Sequence, residues 1–481
     1  MDTEAFQHYL SDTSRRAAPL ADGFDGAAGG APCGDLVRLS LEVRDGSIAR
    51  VSFDAEGCAA AAAAAAAVAE LADDADVLDA ARIDADAIAT ELGGLGPQGR
   101  HAADLAADAL HRALASAAGA VPGLAPPPAQ GERVLVALSG GVDSAVAALC
   151  ERERGAEVVA VTLKLWADQR TDATRSCCSP LAVLGARRLA HSLDMAHLTL
   201  DLEADFRAEV VDDFIAGYRA GRTPNPCVIC NGELRIDAML DLARRLGCSA
   251  LATGHYARLA DDGDGPLLRA AADAAKDQTY MLSGLRPESL ARLRFPLAEL
   301  TKPEVRELAA AAGLPVASKA ESQDLCFLAG EGKRSFLARH GGLAGRPGAI
   351  VDRGGRRLGE HRGHHEFTVG QRRGIGVGGS EPLYVLRTDA AANEVVVGTR
   401  EELARRRVHV RAATLHRPGG RVDRVRLRYH AKPLACELPR VPAGDHERLE
   451  LELAEPAYGV APGQTACLMS GDVVVGRATI A

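Results

Sequence analysis

A chain of 481 residues with 47% hydrophobic and 25% charged side chains is long enough for about two to four packed domains. No apolar run reaches the roughly 18 residues of a membrane span, and Met1-Asp-Thr-Glu lacks the basic-then-apolar order of a secretory signal. A cytoplasmic protein with no membrane partner is expected, and its eleven cysteines read as catalytic, metal-binding or buried rather than as a disulfide framework.

In chain order, residues 1–120 open with a polar, frayed or helical start. Leu36–Val43 alternates as a strand, Asp45-Gly46 turns, and Ile48–Phe53 alternates again. Gly57-Cys58 opens an alanine-rich helix, and a second helical pattern runs from about Arg100 to Ala118. Residues 121–130 are a proline-rich linker. From 131 to 330 apolar strands alternate with helices, which predicts an α/β doubly wound parallel sheet with ligands at the carboxyl ends of its strands. The strands are the run from Val134, Val158–Leu163, His197–Leu200 and Ala250–His255. Residues 331–400 read as a small Gly-rich connecting domain, and 401–481, with short alternating strands, as a β-barrel. Charge is uneven: residues 1–129 hold 8 basic and 20 acidic side chains, whereas 346–432 hold 19 basic and 9 acidic. The basic segment is a candidate nucleic-acid footprint, with a solvated charged face as the plainer reading.

The first strand breaks into Ser139-Gly140-Gly141-Val142-Asp143-Ser144 and then a helix. A strand, a glycine turn and a helix N-terminus make an anion site, because free N–H groups and the helix dipole both favour negative charge. The spacing is neither that of the P-loop nor that of the dinucleotide fingerprint. Three further constellations carry chemistry. Asn225-Pro226-Cys227-Val-Ile-Cys230-Asn231 presents two thiols on a proline-stiffened loop, with a helix expected to start near Asn231 and so favour a thiolate at Cys230. Ser322-Gln-Asp-Leu-Cys326-Phe places a third thiol after the nucleotide fold. Gly254-His255-Tyr256 and Lys276-Asp277-Gln278 offer close backbone approach and a phosphate-directed charge. Cys150, Cys248, Cys436 and Cys467 read as buried apolar residues. Cys177-Cys178 stays unassigned, structural rather than ligating. His361, His364 and His365 fit no common zinc spacing and read as a solvated loop.

Ser-Gly-Gly-Val-Asp-Ser resembles the pyrophosphate loop of the N-type ATP pyrophosphatases. With the motifs above, Thr368-Val-Gly-Gln-Arg-Arg-Gly and Glu381-Pro-Leu-Tyr, the chain from about 131 onward resembles the MnmA-type tRNA-specific 2-thiouridylases. That resemblance implies an enzyme that adenylates the C2 oxygen of the wobble uridine with ATP and Mg2+ and replaces it by sulfur. ATP is then held by Ala137, Leu138, Ser139, Gly140, Gly141, Val142, Asp143 and Ser144, with Leu163 and Gly254. The tRNA is then met by Asn225, Pro226, Cys227, His255, Lys276, Asp277, Gln278, Arg428, Tyr429 and Gln464. Cys326 carries a persulfide and Cys230 is the catalytic nucleophile. Position 227 leaves two mechanisms open: a sulfur relay ending in a Cys230–Cys326 disulfide, or a [4Fe–4S] cluster on Cys227, Cys230 and Cys326.

Ala31-Pro-Cys33-Gly-Asp35, Glu56-Gly-Cys58-Ala and His101-Ala-Ala-Asp-Leu-Ala resemble the NifU/IscU-type iron–sulfur scaffold. Cys33, Asp35, Cys58 and His101 match its ligand positions, but Ala102 stands where a third cysteine is expected. The module then docks a cysteine desulfurase or other persulfide carrier, holds a residual cluster or zinc, or is a structural remnant. Two other functions remain open on these residues: an N-type ligase or amidotransferase, and a scaffold with a regulatory nucleotide domain.

Overall fold

The structure, a computed structural model, describes residues 3–30, 34–128, 130–166, 168, 179–319, 325–328, 330–378 and 381–481. Cys33, Cys177, Cys178 and Ser322–Asp324 lie outside the described residues.

In the N-terminal module, β1 (Phe24–Gly29), β2 (Leu36–Arg44) and β3 (Ser47–Glu56) form an antiparallel sheet in that order. Asp45 and Gly46 turn the β2–β3 hairpin with φ of 51° and 84°, the left-handed geometry that matches strand twist. The helices Ala59–Ala72 and Pro97–Ala120 cover the sheet with small, buried alanines. β1 was not expected, because Phe-Asp-Gly-Ala-Ala-Gly reads as loop composition. Its glycine is required by packing: a Cβ on Gly26 would sit 2.1 Å from the Ala109 carbonyl oxygen of the long helix.

The catalytic sheet contains β4 (Arg133–Ala137), β5 (Glu157–Lys164), β6 (Ala196–Asp201) and β7 (Ala250–Thr253). A hairpin, β8 (Arg258–Asp261) and β9 (Pro266–Arg269), precedes the last strand, β10 (Leu293–Arg294). The order β10-β7-β4-β5-β6 is parallel throughout, so the winding reverses between β4 and β7. An open α/β sheet binds its ligand at the carboxyl ends beside such a switch point.

The N-terminal module lies on the free edge of this sheet. Its long helix packs along β6. Arg187 binds the Asp108 carboxylate at 2.8 Å, the Arg245 guanidinium donates to the Ala118 carbonyl at 2.7 Å, and the His197 N–H donates to the Ala81 carbonyl at 3.2 Å. The His111 ring stacks 5.3 Å from His191 and 6.5 Å from His197 within this interface. Covering β6 removes an edge open to stray pairing.

β11 (Gly348–Asp352), β12 (Arg357–His361), β13 (Tyr384–Asp389) and β14 (Glu394–Gly398) form a small sheet, preceded by the helix Lys333–Gly341. The expectation of a solvated histidine loop fails here. His361, His364 and His365 are 6%, 8% and 5% exposed. His361 packs edge-on against Phe367, and His364 bonds the Asn393 side chain and the Arg219 carbonyl.

β15 (Ala404–Leu415), β16 (Arg424–Arg426), β17 (Leu434–Glu437), β18 (Gly444–Tyr458), β19 (Thr465–Ser470) and β20 (Val473–Ile480) close into a six-stranded barrel through the β15–β20 pairing. The β8–β9 hairpin of the catalytic segment extends the same sheet, with Leu268 opposite Val474. No helix among the described residues is long and apolar enough to cross a membrane.

Candidate active site at the switch point of the parallel sheet

The loop after β4 is shaped by its own hydroxyls. Ser139 N–H donates to Ser144 Oγ at 3.1 Å, and Ser144 Oγ donates to the Gly141 carbonyl at 3.1 Å. Thr162 on β5 holds the Leu138 carbonyl at 2.7 Å. Gly140 takes φ +68°, which an L side chain rarely adopts, and Gly141 caps the helix Val142–Glu153. The free N–H groups of that helix end face a cleft lined by Ser139, Asp143, Ser144, Leu163, Gly254 and His255. Gly254 has a packing reason as well. A Cβ there would lie 2.7 Å from the Asp143 carbonyl carbon and from Ser144 N.

Sequence reasoning missed the groups that hold this loop from outside. Lys302 Nζ binds both Asp143 oxygens at 2.6 and 2.8 Å, and the Tyr256 hydroxyl donates to the same carboxylate at 2.8 Å. Lys319 Nζ donates to the Gly140 carbonyl at 2.8 Å. The one visible signal was Thr301-Lys-Pro-Glu304, a capping-box pattern in which Glu304 accepts from the Thr301 N–H at 2.7 Å. It marks a helix start but not the reach of Lys302 across to the loop.

The two-thiol loop departs from expectation. The helix starts at Pro226, not near Asn231, and continues through a widened π-turn, Cys230–Arg235, into Ile236–Arg245. Cys230 therefore lies a full turn inside the helix rather than at its N-terminus, and is buried at 6% exposure. Cys227 sits nearer that end, yet desolvation pushes its thiol up to about 11; Cys230 beside it acts in the same direction and Arg235 opposes. Cys326 is half-buried. Its neighbour Phe327 is locked among Phe206, Phe214 and Phe336, with ring centroids 5.1–5.9 Å apart.

The barrel is joined to this helix and loop. Gln464 Nε2 donates to the Thr223 carbonyl at 2.8 Å, Tyr280 hydroxyl to the Thr465 carbonyl at 2.9 Å, and Arg477 pairs with Glu233. Asn225 reaches the Tyr280 hydroxyl, and Tyr429 lies close enough to Cys227 and Asp277 to feel both. Asn225, Pro226, Cys227, Tyr429 and Gln464 are thus gathered at one seam, with exposed Arg428 beside them and half-buried Lys276 on the loop leading to Asp277. The buried carboxylate of Asp277 accepts from Ala271 N–H, Thr279 Oγ1 and Arg426 at 3.2, 2.9 and 2.7 Å and so ties the barrel to this loop. Gln278 Oε1 accepts from the Tyr256 N–H at 2.9 Å, and the residue lines the cleft. His255 is pushed down to about 3 by desolvation and then by Arg235, so it is neutral, and it shares a 2.9 Å hydrogen bond with Thr253 Oγ1.

In the N-terminal module Cys58 is exposed at the start of its helix. Asp35 is buried beneath it, accepting from Cys58 N–H at 2.7 Å and lying 3.3 Å from its Sγ. His101 is exposed, and Ala102 points inward at 1% exposure. Among the described residues, three metal-ligand atoms come within 4.8 Å of each other only at Asp168, Glu331 and His340, where Arg339 already bridges both carboxylates.

Known families divide the chain in the same way. The NifU-like N-terminal domain matches residues 5–120, and the tRNA methyl transferase HUP domain matches 132–330. The tRNA methyl transferase PRC-barrel domain matches 334–399, and the aminomethyltransferase β-barrel domain matches 408–480. The bifunctional protein NifU/MnmA of Rubrobacter xylanophilus is 46% identical over 467 residues, covering 95% of this chain and 93% of that one. The tRNA-specific 2-thiouridylases MnmA of Sorangium cellulosum and Chloroflexus aggregans are each 44% identical. They cover 73% and 72% of this chain, and 93% and 98% of their own. The chain belongs to the MnmA family of tRNA-specific 2-thiouridylases, in the bifunctional form that carries a NifU-like module at its N-terminus.

Proposed function

We propose that the chain is an ATP-dependent tRNA uridine 2-sulfurtransferase that forms 2-thiouridine at the anticodon wobble position. The observation that carries this reading is one helix serving two chemistries: it bears Cys227 and Cys230, and its continuation lines the nucleotide cleft with Arg235 and Met239. ATP enters as its Mg2+ complex and lies in the loop Ala137–Ser144, with Leu163 and Gly254, its phosphates on the helix N-terminus. The uridine C2 oxygen attacks the α-phosphorus, the bond to the β-phosphate breaks, pyrophosphate leaves, and the N3 proton passes to water. Sulfur arrives on Cys326 as a persulfide from a cysteine desulfurase or persulfide carrier. Its terminal sulfur displaces AMP at C2. The Cys230 thiolate then attacks the Cys326 sulfur, leaving sulfur on the base and a Cys230–Cys326 disulfide that an external thiol reduces. The tRNA runs over the seam at Asn225, Cys227, Tyr429 and Gln464 onto the basic barrel; a splayed-out loop base suits such a site.

The cluster mechanism fits the residues less well. It would need room for a four-iron cluster beside Cys230, which is buried inside the helix at 6% exposure. The N-terminal donors, Cys33, Asp35, Cys58 and His101, lack the third thiol because Ala102 stands in its place and faces the core. The module then serves as the docking platform for the sulfur donor. Incubating tRNA with ATP and a sulfur source, then analysing its nucleosides by mass, tests the reading; Cys230→Ala and Cys326→Ala should each abolish the product.

A further inference from the structure

The helix bearing the two thiols changes its winding between Cys230 and Arg235. Widened turns of this kind re-aim side chains and recur at functional sites. Here the turn starts at the buried thiol and ends at a cation.

Arg235 lines the cleft together with Ser139, Asp143, Ser144 and His255. Its Nε is buried without a hydrogen-bond partner. The neighbouring acids are already committed, Glu233 to Arg477 and Asp143 to Lys302. Among the described residues no carboxylate pairs with its guanidinium. A cation held partly out of water without a counter-charge is costly unless an anion arrives. It is near enough to Cys227 and to His255 for its charge to act on both.

Resting on the function proposed above, we propose that Arg235 binds the α-phosphate of ATP and of the adenylated uridine. The loop N–H groups at the helix end suit the pyrophosphate, and Lys319 holds the Gly140 carbonyl of that loop at 2.8 Å. Arg235 comes instead from the helix that carries the thiols, where the uridine must enter. The phosphoryl group between uridine and pyrophosphate is the α-phosphate. In the first step the C2 oxygen bonds to that phosphorus as pyrophosphate leaves with the electron pair, the N3 proton going to water. In the second, sulfur bonds to C2 and AMP leaves with the C–O electrons. Negative charge gathers on the α-phosphoryl oxygens in both steps, and a planar guanidinium matches them with paired donors.

The test is tRNA-dependent AMP and pyrophosphate formation by full-length Arg235→Met and Arg235→Lys, with tRNA affinity, melting temperature and persulfide transfer to Cys326 measured alongside. Removing one preorganised donor to developing charge slows a reaction by about 100-fold or more, so Arg235→Met should lose that much in kcat for pyrophosphate release. Its tRNA affinity and its loading of Cys326 should stay unchanged, and Arg235→Lys should recover part of the rate. Wild-type pyrophosphate release in Arg235→Met would overturn the assignment, whether the variant lost tRNA affinity, as for a tRNA-phosphate contact, or sulfur transfer, as for a thiolate partner. Failure of the wild-type enzyme itself to release pyrophosphate with tRNA would instead contradict the function on which the assignment rests.

Discussion

At the scale of residues, the site separates thiols by environment. Cys230 is buried within a helix and Cys326 is half-buried in a segment pinned by Phe327. Loss of either nucleophile should lower thiolation by about 1000-fold or more, because neither half of a relay works alone. Adenylation should survive both changes, so pyrophosphate release measured beside thiouridine formation separates them from Arg235→Met. Cys227 is expected to behave as a protonated thiol at neutral pH, since desolvation raises it to about 11. Its raised value means its contribution to stability is full below the ordinary thiol range and is lost as pH rises through about 11. Alkylation followed by peptide mass analysis should find Cys227 slow near pH 8 and faster as the medium approaches that value. The thiols and the Ser-Gly-Gly loop were legible in the sequence because their chemistry is local. Lys302 and Lys319 were not, since each acts on a partner far away in the chain: Lys302 meets Asp143 across 159 positions. Arg235 was not, because only the fold brings it to the cleft.

At the scale of elements, the close approach of β7 to the phosphate loop fixes the cleft. Gly254→Ala would place a methyl 2.7 Å from the Asp143 and Ser144 backbone. Overpacking of this kind costs about 1–3 kcal/mol, and here the loop is what must move. Nucleotide titration should show a raised KM for ATP with only a modest fall in melting temperature. The helix Pro97–Ala120 makes the second decisive contact, through His111 against His191 and His197. All three imidazoles are held below the ordinary value of 6.5, first by desolvation, with Arg187 acting the same way on each. Their stabilisation is therefore present above pH 6.5 and is lost as pH falls below it. Urea unfolding at pH 7.5 and 5.5 should show the loss, and His111→Gln should flatten the difference. Strands with alternating or continuous apolar runs were readable, β2 through β7 among them. β1 was not, because tight helix packing selected glycine and alanine there, and β10 is only Leu293-Arg294.

At the scale of the whole molecule, the module is part of the fold rather than a tethered passenger. Removing residues 1–129 would bare β6 and the histidines beneath the long helix, so the truncated chain should associate and melt lower, as size-exclusion and thermal melts would reveal. A delivery role for the module is better tested by Cys58→Ala in the full chain, which should slow desulfurase-fed turnover while sparing turnover with free sulfide. Domain order was visible in the composition; the docking was not, because the proline-rich segment gives no sign that the units on either side of it touch. Joined in this way, the acidic module stands on the sheet edge, and the basic barrel is fastened to the opening of the cleft through Arg426–Asp277 and Gln464. The most direct test of the account is a single reaction: unmodified tRNA, ATP and a persulfide donor with the full-length protein, read by nucleoside mass analysis and by AMP. One 2-thiouridine should form for each AMP released. AMP without thiouridine, or thiouridine formed without ATP, would contradict it.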